Sequence, residues 1–356
     1  MRKLKSIAVC ALCLCLLLGL AGCAAAQRPL RVTLVLKTET DVAEFWGMLL
    51  SGVRKAAEEY GVELTVRTSP TETAIDEQIE LIQQTAAEKP DVMILSAADY
   101  DRCAEATEEA IAAGIGVVAV DTDVNAEGRA CFVGSNNYQI GQEMGSQMAS
   151  YLPEGGKVAV IQHMLTTTTG IDRTRGVIDA LTQAGNIEIL GSYCCDNSTL
   201  RAKEITTALL EEEPDIRGFV CTNEVCNVGA ANALVELGMG GKVFVVGCDN
   251  SQRQIALLEQ NIIQAIVIQR PFNMGYMAVQ QAVRVAQGEE PEDFVEIACV
   301  LITRENMYTQ ENQKLLFPMF AIPPTRSNCM DHIFAGQVVS LCDFCAAGLA
   351  AMQRTA

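Results

Sequence analysis

Two short runs, far apart in the chain and built alike, limit the folds open to it. Val117-Val118-Ala119-Val120-Asp121 and Val243-Phe244-Val245-Val246-Gly247-Cys248-Asp249 both switch abruptly from mostly β-branched apolar side chains to a carboxylate. A strand that is apolar on both faces belongs inside a parallel sheet, with helices covering each side. In open α/β sheets ligands bind beyond the carboxyl ends of such strands. Asp121 and Asp249 therefore stand where two similar halves can share one ligand.

The periodicity around these runs repeats one grammar. It predicts strands over 30–36, 62–66, 92–95 and 117–121, with helices over 41–60 and 102–113 and another carrying Ile75, Ile79, Ile82 and Ala86 on one face. Asp41 with Glu44 three residues on reads as a capping box, and Trp46, Leu49, Leu50 and Val53 as the buried stripe of that first helix. The pattern recurs with strands over 130–133, 157–162, 187–191, 219–221, 243–249 and 262–268 and helices between them, the last over 273–287. Glycine closing helix after helix ahead of a β-branched strand is the βαβ pattern, and 356 residues exceed one ordinary core. The expected fold class is α/β, with two doubly wound parallel-sheet lobes.

Charge and the first residues narrow the setting. Arg2, Lys3 and Lys5 lead into an apolar stretch over 7–18, too short to span a bilayer and shaped as an export signal. It ends in Leu20-Ala21-Gly22-Cys23, which resembles the lipobox of bacterial lipoproteins. The expectation is a signal peptide over 1–22, acyl chains on Cys23 holding the protein at the outer face of the cell membrane, and a tether over 23–29. The net charge of −18 becomes −21 once the three basic residues of the signal are removed. Such acidity argues against nucleic acid as a partner and against basic-patch binding to anionic lipid.

Fifteen cysteines are many for an exported chain of this size. Cys131, Cys221, Cys248 and Cys299 fall in or beside expected buried strands, so most thiols are expected to be unpaired and buried, in keeping with an anaerobic habitat. The adjacent Cys194 and Cys195 are poorly placed to pair with each other and read as structural. From residue 319 to 356 there is no Lys and no Glu, while Pro323-Pro324 and three cysteines appear; this stretch reads as an appended, disordered tail.

Enzyme chemistry finds little support. Gly114-Ile115-Gly116 and Gly238-Met239-Gly240-Gly241-Lys242 precede strands, whereas a dinucleotide or P-loop site follows a strand and opens a helix. There is no Gly-x-Ser-x-Gly or His-Glu-x-x-His, and His163 and His332 are the only histidines. Cys329-x-x-His332 and Cys342-x-x-Cys345 have zinc-ligand spacing, but in a tail without periodicity chance accounts for it. No cofactor and no metal is expected. His163 ends a strand, where it either lines a pocket or is a satisfied structural histidine.

What remains is a set of side chains after successive strands: Phe45, Trp46, Asp121, Asn137, Arg173, Asn223, Asp249 and Gln269. Carboxylates accept hydroxyl hydrogen bonds, Arg and amides donate, and aromatic rings cover an apolar ring face, a mixture suited to a small neutral polyhydroxylated ligand. Trp46 also fits core packing, and Asn137 and Asn223 also fit helix caps. Two ionised carboxylates at buried strand ends are harder to explain without partners.

The order Phe45-Trp46, Val120-Asp121, Gly134-Ser135-Asn136-Asn137, Asp172-Arg173-x-x-Gly176, Thr222-Asn223-Glu224, Val246-Gly247-Cys248-Asp249 and Ile268-Gln269-x-Pro271 resembles the ribose-binding-protein-like branch of type I periplasmic binding proteins. These are solute receptors of sugar ABC transporters, and the similarity runs over about 30–318. The resemblance implies that Asp121, Asn137, Arg173, Asn223, Asp249 and Gln269 are polar ligand contacts and Phe45 and Trp46 the aromatic ones. It also implies three crossings between lobes, near 133–137, 268–271 and 296–300. The lobes would be 30–135 plus 270–297 and 136–269 plus 298–318. Ala43-Glu44 replaces the usual Asn-Pro ahead of the aromatics, and Thr122 stands where ribose binders carry Arg. The expected function is a monomeric, non-enzymatic, lipid-anchored receptor that hands a sugar or polyol to an ABC permease. The alternative is a sensor for a membrane kinase or chemoreceptor. A repressor core of the same fold lacks the export signal.

Overall fold

The computed structural model describes residues 28–41 and 44–317. The expectations for the signal segment, Cys23, most of the tether and the tail over 319–356 lie outside these residues.

The first half lays down β1 (Arg31–Leu36), α1 (Glu44–Tyr60), β2 (Glu63–Thr68), α2 (Ile75–Glu88), β3 (Val92–Leu95), α3 (Ala104–Ala112), β4 (Gly116–Val120) and β5 (Cys131–Gly134). The second continues with α4 (Asn137–Tyr151), β6 (Gly156–Gln162), α5 (Thr168–Ala184), β7 (Ile187–Cys194), α6 (Thr199–Glu212), β8 (Ile216–Cys221), α7 (Glu224–Glu236), β9 (Phe244–Cys248), α8 (Gln252–Glu259) and β10 (Ala265–Ile268). Then α9 (Pro271–Ala286) returns to pack on α1 and on β3 and β4, followed by β11 (Phe294–Glu296), β12 (Val300–Thr303) and α10 (Gln310–Leu316).

Two six-stranded sheets result, ordered β11-β5-β4-β3-β1-β2 and β12-β10-β9-β8-β6-β7. The first is wholly parallel; in the second only β12 runs antiparallel, against β10. The chain passes between the sheets after β5, after β10 and after β11. β4 and β9, which lead into Asp121 and Asp249, each occupy the interior of their own sheet.

Alternation along each strand builds two apolar layers per sheet. Val32, Leu34 and Leu36 face one core while Val35 faces the other; Val92 and Ile94 oppose Met93 and Leu95 in the same way. In the second sheet Ile266 and Ile268 enter one layer, Ala265 and Val267 the other. Each fully buried Leu or Ile contributes about 1.5–3 kcal/mol of burial.

Close helix contacts need glycine. A Cβ at Gly141 on α4 would lie 2.1 Å from the Arg173 carbonyl oxygen on α5, and one at Gly176 would lie 2.2 Å from that of Tyr138. The two helices therefore touch backbone to backbone where Arg173 emerges.

Several boundaries differ from the periodicity. The capping box expected at Asp41 and Glu44 is not formed: α1 starts at Glu44, whose Oε1 instead accepts from the Gln252 backbone N–H at 3.2 Å. A capping box does occur at Ser251 and Gln254, opening α8. β7 and β8 are longer than expected and β10 shorter, because Asn261, at φ 57°, is still turning the chain after α8. α5 opens at Thr168 because the Thr167 side chain caps it by accepting from Gly170 N. The strand pair β11 and β12 and the short α10 have too few residues for a periodic signal.

Among the described residues no helix is long and apolar enough to cross a membrane. All eight described cysteines are free; Cys194 and Cys299 are partly exposed and the other six buried.

Candidate functional site

Asp121 and Asp249 each follow an interior strand and share one uncommon backbone conformation, with φ of 63° and 69°. A non-glycine residue there costs roughly 1–2 kcal/mol, least for Asp and Asn. Each keeps its amide bonded to the neighbouring strand, Asp121 N to Val133 O at 3.0 Å and Asp249 N to Val267 O at 2.9 Å. The two halves thus end their central strands in the same turn, and both aspartates line one cavity of about 410 Å³.

Seven of the eight candidates from the sequence line that cavity: Phe45, Trp46, Asp121, Arg173, Asn223, Asp249 and Gln269. Phe45 and Trp46 meet edge to face with centroids 5.1 Å apart. Trp46 belongs to the cavity wall and also to the core beneath it, so its two readings are compatible. Asn137 does not line the cavity. It is buried behind Arg173, and its Oδ1 accepts from Arg173 Nε at 2.9 Å, while Asn136 caps α4. Asn223 caps α7 by accepting from Cys226 N at 3.0 Å, and its amide donates to Asn197 Oδ1 at 2.9 Å, so it both caps and faces the cavity.

Arg173 is held from several sides. Besides Asn137, its Nη1 donates to the Thr222 carbonyl at 2.9 Å and lies 3.9 Å from Asp249 Oδ2. Asp249 in turn accepts from Gln269 Nε2 at 2.6 Å and from Glu224 N at 3.3 Å. Desolvation works against the Arg173 charge, but the neighbouring carboxylates of Asp249 and Asp121 favour it and its pKa is raised. His163 lines the cavity with both ring nitrogens paired, Nδ1 with Thr222 Oγ1 at 2.7 Å and Nε2 with Thr169 Oγ1 at 3.1 Å. Burial, with Arg173 and Lys37 nearby, holds it well below the usual histidine range.

Lys37 and Glu72 also line the cavity, beyond the eight residues expected from the sequence. Lys37, its side chain 3% exposed, places Nζ 3.6 Å from Asp121 Oδ2, 3.2 Å from Glu72 Oε2 and 5.4 Å from the Trp46 ring centroid. Glu72 Oε2 makes no aligned hydrogen bond, so the contact is an ion pair only. Lys37 directly follows β1 and obeys the same strand-end rule as Asp121, which could have found it. Glu72 sits in a turn after β2, where no periodicity marks it. Burial raises the Asp121 pKa, with Lys37 and Arg173 pulling it back. Among the described residues no group of three or more His, Cys, Asp or Glu side chains could hold a metal.

Elements of the two halves also touch beside the cavity. Besides Glu44 and Gln252, Tyr100 N donates to Thr166 O at 2.9 Å and Asp123 N to Thr168 Oγ1 at 3.1 Å. Two parallel-sheet lobes closed over a polar cavity with an aromatic wall define a solute-binding protein. The chain matches the periplasmic binding protein domain family over residues 32–290 and belongs to it. It is similar to the D-ribose/D-allose-binding protein of Pseudomonas aeruginosa, 27% identical over 270 residues covering 74% of this chain and 84% of that one. The D-allose-binding periplasmic protein of Escherichia coli is 24% identical over 302 residues, 81% of this chain and 96% of that one. Among solved structures, a sugar transporter from Clostridium phytofermentans is 31% identical with a TM-score of 0.71, covering 76% of this chain and 98% of that one. A carbohydrate transporter solute-binding protein from Agrobacterium radiobacter, in complex with D-arabinose, has a TM-score of 0.78 at 23% identity, covering 82% and 100%. The relatives are binding proteins, not enzymes.

Proposed function

We propose that this chain is the extracytoplasmic receptor of a sugar ABC transporter, closing on one neutral aldose or related polyol and presenting it to a membrane permease. The two lobes, 30–135 plus 270–297 and 136–269 plus 298–318, hinge about their three crossings, and lipid on Cys23 keeps the receptor beside the permease. The observation that carries this reading is that Asp121 and Asp249, from matched strand ends, line the same cavity. Asp121 accepts no hydrogen bond from the described residues; its Oδ2 is ion-paired with Lys37 at 3.6 Å, and lone pairs remain open to ligand hydroxyls. Asp249 is oriented by Gln269 and the Glu224 amide, and Arg173 is the fixed donor. Phe45 and Trp46 supply the apolar surface against the C–H face of a sugar ring.

Charge refines the ligand class. Lys37 and Arg173 are outnumbered by Glu72, Asp121 and Asp249 in the same wall, which leaves no positive surplus for a phosphate or uronate. Relatives that bind D-ribose and D-allose make these aldoses the first ligands to try.

A thermal-shift panel of D-allose, D-ribose, D-arabinose, inositol, ribose 5-phosphate and glucuronate tests the class. At least one neutral member is expected to raise Tm by several degrees and the anions are expected to do nothing. A shift by the anions alone would contradict the reading. Uptake of the labelled sugar should fall in a deletion strain; intact uptake with a lost chemotactic or kinase response would make the chain a sensor instead. Cys23→Ala should move the protein from the membrane to the soluble fraction.

A further inference from the structure

Cys195 and Cys226 bring their sulfurs to 3.5 Å, both fully buried behind the cavity wall. Cys195 lies in the loop after β7 and Cys226 in the first turn of α7. The same two segments present Asn197, Thr199, Asn223 and Glu224 to the cavity and are already tied by the Asn223–Asn197 hydrogen bond. Cys194 points elsewhere, its Sγ at 3.3 Å from Asp196 Oδ1 and 3.7 Å from His163 O. Cys221 shares the apolar layer but, among the described residues, makes no sulfur–sulfur contact.

We propose that Cys195 and Cys226 form a redox modification site, closing to a disulfide when the protein meets a disulfide oxidant. The Cys195 thiol loses its proton and, as the thiolate, attacks one sulfur of the oxidant; the expelled thiolate takes up that proton and a mixed disulfide is left on Cys195. Cys226 attacks the Cys195 sulfur, its proton passing to the second departing thiolate. Two protein thiols are oxidised to one S–S bond, and one oxidant disulfide is reduced to two thiols. In the folded chain the hydrogen bond with Cys226 holds the Cys195 thiol below its usual range. With both sulfurs buried, the exchange runs while the chain folds or the loop opens. The link joins residues 31 apart and staples the loop to the helix that together form one wall of the cavity. It does not rest on the identity of the ligand.

The full chain is incubated with oxidised glutathione a few degrees below its unfolding midpoint, then alkylated and digested without reduction. The expected product is one peptide pair joined through Cys195 and Cys226 and two hydrogens lighter, with Tm about 5 °C higher than in dithiothreitol. That rise should vanish in Cys195→Ala and Cys226→Ala and persist in Cys194→Ser and Cys221→Ala. Recovery of Cys195 and Cys226 as alkylated or glutathionylated peptides, or a cross-link that Cys194→Ser removes, would overturn the assignment.

Discussion

Burying the Arg173 guanidinium with its side chain only 2% exposed costs several kcal/mol of desolvation. The wall offsets this through Asn137 Oδ1, the Thr222 carbonyl and the carboxylates of Asp249 and Asp121. Removing the cation takes the donor from Asn137 Oδ1 and the Thr222 carbonyl and one counter-charge from Asp249 and Asp121. Arg173→Met should therefore lower stability by about 3–5 kcal/mol in urea unfolding and abolish sugar binding, whereas an unchanged midpoint would show the network to be slack. His163 predicts a pH effect of definite sign. Its folded pKa lies well below 6.5, so below about pH 6.5 the unfolded chain binds the extra proton and stability falls as pH falls. The stability gap between wild type and His163→Gln should narrow by up to about 1.4 kcal/mol from pH 6 to pH 5, and a constant gap would contradict the assignment. At this scale the aspartates were legible because each carboxylate abruptly ends a mostly β-branched apolar run. Asn137 stands one residue past the cap, Asn136, and reaches Arg173 rather than the cavity. Lys37 was overlooked because one buried lysine after a strand looks like any strand end until Glu72 and Asp121 are seen beside it.

Helix contacts decide where those side chains stand. Gly141 and Gly176 let α4 and α5 meet through their backbones, and Arg173 leaves α5 at that contact. Gly141→Ala forces a methyl against the Arg173 carbonyl. It should cost about 3 kcal/mol and weaken ligand binding together, as read by unfolding and calorimetry on the same preparation. A stable variant with full affinity would mean that the helices can part without moving Arg173. Elements of this kind were well marked in the sequence, since βαβ units write period 2 and period 3.6 in alternation with glycine stops. Their ends were less so. Caps such as Thr167 and Ser251 act through hydrogen bonds that a pattern of apolar residues does not record. β11 and β12 are three and four residues long and were inferred only as lobe crossings.

On the scale of the whole molecule, two sheets of like topology set their carboxyl ends toward one another, and contacts such as Glu44 to Gln252 and Tyr100 to Thr166 bridge the rims. In the proposed function ligand contacts drawn from both lobes are complete only when the lobes are shut, which makes binding energy and closure one quantity. It follows that neither aspartate can be spared, although they sit in different lobes. Calorimetric titration of the best sugar from the thermal-shift panel against wild type, Asp121→Asn and Asp249→Asn puts this to the test. Wild type should bind one molecule per chain, and each substitution should weaken binding about 10- to 150-fold in a protein that still unfolds cooperatively, since a hydrogen bond to a charged group contributes about 1.5–3 kcal/mol. Full affinity in either well-folded variant would contradict a single guest held between two matched strand ends.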